Sequence, residues 1–101
     1  MHLVQMLLPL NDKEGKRFPN ELFDTVREEL LDKFGGVTVF TQSPVEGLWK
    51  PDKHAIRDHL LIYEVMADVL AESWWHAYRS LLEERFAQDY IVIRSQQIQL
   101  L

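Results

Sequence analysis

The chain has 101 residues, 47% hydrophobic and 27% charged, which suits one compact domain over residues 1–101 and leaves no room for a second. Sixteen acidic against eleven basic residues give a formal charge of −5, and with no basic stripe this argues against a nucleic-acid backbone or an anionic membrane as partner. The absence of cysteine excludes disulfides, thiolate nucleophiles and cysteine-ligated metal centres, and allows a reducing compartment.

The opening Met1–Leu10 run is apolar, lacks a basic leader and a small-residue cleavage site, and stops at Pro9, so it predicts a strand rather than a signal peptide. No apolar stretch approaches the ~18 residues a membrane span requires, and a cytoplasmic location is expected. Within that run, His2–Leu8 places Val4, Met6 and Leu8 on one face and Leu3, Gln5 and Leu7 on the other. Asn11–Pro19, polar around Gly15, predicts a loop; its mixed charges lack the glycine spacing that cradles phosphates.

Asn20 then reads as an N-cap, and Leu22, Phe23, Val26, Leu30 and Phe34 recur at helical spacing until Gly35-Gly36 supplies a left-handed stop. Val37–Gln42 is β-branched and alternating, a second strand. Ser43–Lys53, with Pro44, Gly47 and Pro51, predicts a long connection, and Ala55–Met66 a third strand. Asp68 reads as the cap of a second helix whose apolar positions, Leu70 to Phe86, sweep about half its circumference. Asp89–Gln97 closes the series as a fourth strand, followed by an apolar tail, Ile98–Leu101.

The order β-α-β-β-α-β predicts the α+β, ferredoxin-like split βαβ fold. In it a four-stranded antiparallel sheet, ordered 4-1-3-2, carries both helices on one face. The long segments Asn11–Phe18 and Ser43–His54 then share one end of the sheet, where the mouth of a pocket is expected. A sheet covered on one side should be polar on the other. Here the uncovered side would show Leu3, Leu7, Phe40, Leu60, Ile62, Tyr90 and Val92, interrupted by Gln5, Asp58, Glu64 and Arg94. Burying about 500 Å² of such surface is worth on the order of 12 kcal/mol before ordering costs, so a homodimer through this open sheet face is expected.

In this element order, over nearly its whole length, the chain resembles the dimeric α+β barrel superfamily, in which two ferredoxin-like subunits stack sheet on sheet. No signature of a particular family accompanies the pattern. The resemblance implies a range that includes small monooxygenases, haem-degrading enzymes and lactone isomerases. Trp74-Trp75-His76 invites comparison with the helix-borne Trp and His of the haem-degrading group, but His76 falls on the polar arc of the second helix with Glu72, Arg79, Ser80 and Glu83, facing away from the sheet.

Glu64, Gln5 and Arg94 would form one polar row across adjacent strands, able to orient a ligand's carbonyl or hydroxyl, or to fix the register of a dimer. Asp58 and His59 point to opposite faces, and His54 and His59 have opposite parity, so neither pair makes an acid–base couple or a metal pair. Glu46 and Trp49, in the long connection, could wall a pocket with Asp58, Glu64 and Arg94. No Gly-x-Ser-x-Gly elbow is present, and no metal or cofactor is implied.

Three functions follow: a structural or regulatory module whose main property is its dimer interface, a binder of a small apolar or aromatic ligand at the dimer cavity, or a cofactor-independent monooxygenase or isomerase using Glu64 or Asp58 as base. Whether the chain is an enzyme is left open by the residues themselves.

Overall fold

A computed structural model describes the backbone of residues 1–49 and 56–101 and the side chains of residues 1–40 and 59–101. The elements are β1 (His2–Pro9), α1 (Asn20–Phe34), β2 (Thr38–Trp49), β3 (Ile56–Ala67), α2 (Glu72–Arg85) and β4 (Ile93–Gln97). They form one antiparallel sheet in the order β2-β3-β1-β4, the expected ferredoxin-like arrangement of strands with two helices.

The core lies between sheet and helices. Val4, Met6 and Leu8 from β1 and Leu61, Tyr63 and Val65 from β3 alternate inward, meeting Phe23, Val26 and Leu30 of α1 and Trp75, Tyr78 and Leu82 of α2. Phe86, fully buried, sits edge-on to Phe18 at 5.2 Å and tilted against Phe23 at 5.4 Å, which anchors the first loop and α1 to the end of α2. Between the helices, Glu29 accepts hydrogen bonds from the two terminal nitrogens of Arg85, at 2.6 and 3.0 Å, and from the Tyr78 hydroxyl at 3.0 Å.

Four expected boundaries move, each for a physical reason. Asn20 is not the N-cap of α1: Pro19 occupies that place, and the Asn20 amide oxygen accepts from Arg17 at 2.7 Å instead. Asp68 does not cap α2; Leu70 packs against the core and the helix begins after Ala71. The second strand does not end at Gln42, since β2 continues to Trp49 across a register shift between Phe40 and Val45. The fourth strand starts at Ile93 rather than Asp89, because Ile91 turns into the core and gives its N–H to the Glu83 carboxylate at 3.1 Å. The expected left-handed stop of α1 is present: Gly35 has φ 78° and bonds to the Leu31 carbonyl at 2.8 Å.

Candidate functional site

The strand register lines up Thr38, Glu64, Gln5 and Arg94 across β2, β3, β1 and β4. Side chains of alternate residues point away from the helices, so this row lies on the open face. Gln5 Nε2 donates to Glu64 Oε1, and Arg94 Nε donates to Gln5 Oε1 at 2.8 Å. One amide thus joins a carboxylate to a guanidinium, donor end to the acid and acceptor end to the base. The expected polar row is a continuous hydrogen-bonded chain.

Apolar rows flank it. Phe40, Ile62 and Leu7 are in register on one side, Met66 and Leu3 on the other. Phe40 is 45% and Met66 51% exposed, so neither helix covers this side of the sheet.

Asp58 pairs through its backbone with Gly47, Glu46 with His59 and Trp49 with Ile56, on the outer arm of the β2–β3 hairpin. Asp58 is six residues along β3 from Glu64, about 20 Å in an extended strand. The side chains of Glu46, Trp49 and Asp58 lie outside the described residues, as does all of His54. His59 and His76 are exposed. The expected meeting of Ser43–His54 with Asn11–Phe18 also falls partly outside the described residues. Asn11–Phe18 itself closes on its own bonds: the Asp12 carboxylate accepts from the Glu14 and Lys16 amides at 3.0 and 2.8 Å, and Gly15 takes φ 85° at the tip.

Two of the clefts among the described residues lie towards the start of β1; the end where the mouth is expected falls partly outside the described residues. One, of about 500 Å³, is bounded by Phe34, Gly35, Gly36, Thr38, Glu64 and Met66, so Glu64 borders it. The other, of about 160 Å³, lies between α2 and β4, with Trp75 and Ile93 on its floor and Glu72, His76, Arg79 and Ser95 around it. The periodicity of α2 contained this second cleft, since Glu72, His76 and Arg79 recur at i, i+4 and i+7. Their polar arc reads as solvent-facing in sequence because nothing there marks β4 as a short edge strand beside the helix.

Ionisation follows contact. Hydrogen bonding to Arg85 holds the Glu29 carboxyl below its usual range, and the same bond raises Arg85. Burial, then the Glu29 charge, pushes the Tyr78 hydroxyl well upward; burial likewise raises Tyr63. Among the described residues no Ser or Thr hydroxyl is hydrogen-bonded to a histidine ring or a carboxylate, and no three His, Asp or Glu groups converge as metal ligands.

The fold and its open, polar-crossed sheet define a small α+β protein of ferredoxin-like type. No family model matches the chain, and no curated protein sequence matches it significantly. Among solved structures it is similar to a phage SAM lyase in complex with S-methyl-5'-thioadenosine, with a TM-score of 0.66 at 11% identity over 95% of this chain and 80% of that one. It is similar also to the divalent cation tolerance protein CutA1 of Thermus thermophilus, with a TM-score of 0.63 at 12% identity over 97% and 84% of the two chains. CutA1 of Pyrococcus horikoshii gives a TM-score of 0.61 at 13% identity over 100% and 86%. Likenesses at this level of identity are likenesses of fold. No helix among the described residues is long and apolar enough to cross a membrane.

Proposed function

We propose that the chain is a single-domain, self-associating module of the cytoplasm, two copies stacking their open sheet faces with the Glu64–Gln5–Arg94 row enclosed between them. The observation that carries this reading is the open face itself: rows of Phe40, Ile62 and Leu7 and of Met66 and Leu3 on either side of a hydrogen-bonded polar row. Apolar surface of this extent favours a cover, and a second copy is self-complementary by symmetry. In such an interface Gln5 links Glu64 to Arg94 within each copy, and the second Glu64 oxygen and the terminal Arg94 nitrogens are left to pair with the mate, so the row sets register. The cysteine-free composition is compatible with the cytoplasmic location proposed.

A second reading draws on Glu64 bordering the 500 Å³ cleft. A small apolar ligand carrying a hydrogen-bond donor would sit there against Phe34 and Met66, with Arg94 at the other end of the row and the hairpin residues Glu46, Trp49 and Asp58 beyond.

The test is analytical ultracentrifugation at micromolar concentration. Ile62→Lys places a charge at the centre of the face and is expected to give a monomer, whereas Leu31→Lys, on the outer surface of α1, leaves the dimer intact. A dimer that survives Ile62→Lys with unchanged affinity overturns the assignment of this face.

A further inference from the structure

The cleft between α2 and β4 has charges of opposite sign at its two ends and an apolar floor. Near one end is Arg79, whose Nε is buried and has no hydrogen-bond acceptor among the described residues. The Glu83 carboxylate stands 3.9 Å from it, beyond hydrogen-bonding range, and Glu83 Oε2 already accepts the Ile91 N–H at 3.1 Å. A buried donor left in this state is uncommon. The planar guanidinium, laid over the Tyr90 ring at 5.3 Å, presents a fork matched to a carboxylate.

At the other end is Glu72, two helical turns away or roughly 10 Å along α2. Trp75 and Ile93 form the floor between them, and Ser95 adds a hydroxyl from the strand. The volume of about 160 Å³ is that of a single small ring; a cavity of about 150 Å³ accommodates benzene. Arg94 borders the cleft too, but its Nε is engaged by Gln5 on the opposite side of the sheet.

We propose that this cleft binds a small monocarboxylate with a flat or branched apolar body, its carboxylate on Arg79 and its body on Trp75 and Ile93. Glu72 excludes a second negative charge at the far end. The cleft lies on the helix side of the sheet edge and meets the proposed interface only at Arg94, so its Arg79 end and its Trp75 and Ile93 lining stay clear of a mate stacked on the open face.

Benzoate titrated into the full chain, followed by heteronuclear NMR, is the test. The Trp75 indole and Ser95 amide signals are expected to shift saturably with a Kd of about 1 mM or tighter. Neutral benzamide and dianionic terephthalate should each bind at least about tenfold more weakly. Arg79→Gln should remove the preference for benzoate over benzamide, and Glu72→Gln should bring terephthalate within about threefold of benzoate. Should Arg79→Gln lose its dispersed spectrum, Arg79→Lys, which keeps the charge and loses the fork, is expected to weaken benzoate severalfold. Ile62→Lys keeps the benzoate response, so failure of the interface and failure of this site are distinguishable. No saturable shift at about 20 mM benzoate, undiminished selectivity in Arg79→Gln, or undiminished benzoate affinity in Arg79→Lys overturns the proposal.

Discussion

The carboxylate of Glu29 on α1 grips the guanidinium of Arg85 on α2 through two hydrogen bonds, and this pair, with Tyr78 as third member, ties the helical layer together above the core. Glu29→Gln removes the charge and one strong acceptor, with an expected cost of about 1–2 kcal/mol near neutral pH by urea denaturation. Because the folded state holds the Glu29 carboxyl below its reference of 4.5, its stabilisation is complete above that value and is lost as pH falls through the lower folded value. The gap between wild type and variant should therefore be constant at pH 6 to 8, within about 0.3 kcal/mol, and narrow below about pH 4. A gap that widens on acidification would contradict the assignment.

Gln5 offers a test of enclosure. Gln5→Leu takes the amide from between Glu64 and Arg94; on a wetted face this costs within about 0.5 kcal/mol. Between two stacked sheets it leaves two charged groups unsatisfied, and self-association should weaken tenfold or more, equivalent to about 1.4 kcal/mol. Sedimentation equilibrium on the variant separates the two outcomes.

Two helix ends make an opposed pair. Gly35 closes α1 at φ 78° with open space around its Cα, so Gly35→Ala should cost about 1 kcal/mol, all of it backbone strain. Ala87, just past α2, takes φ 52°. Ala87→Gly should stabilise by up to about 1 kcal/mol in thermal unfolding. If both substitutions move the melting temperature in the same direction, positive φ is not what governs these positions.

Phe86 is fully buried against Phe18 and Phe23. Phe86→Ala is expected to cost about 3–5 kcal/mol. Amide exchange should accelerate most in residues 11–18, whose apolar attachment to the core is Phe18.

The sequence makes some features of this molecule legible and hides others, for reasons that particular residues show. Alternation in β1 and β3 reports both faces of the sheet because each side chain there has a single direction to point, and the row through Gln5 follows from parity and strand order alone. The Gly35 stop is equally local. The extent of β2 is hidden because Pro44 and Gly47 read as breakers, whereas β2 advances five residues, Phe40 to Val45, against two on β3, Ile62 to Leu60, and absorbs the surplus as an irregularity. The α2–β4 cleft is hidden for a different reason. Glu72, His76 and Arg79 form an ordinary solvated arc until the tertiary structure sets an edge strand beside them.

The single amide of Gln5 also gives the sheet a direction. With Glu64 one strand to its left and Arg94 one strand to its right, the face has an electrical left and right about 10 Å apart, although the backbone beneath is nearly indifferent to either. A mate turned about an axis parallel to β1 would lay each acid over the other's base; one turned about the perpendicular axis would lay like upon like. Reversing the amide's neighbours, with Glu64→Arg and Arg94→Glu together, keeps that preference, whereas changing either alone erases it.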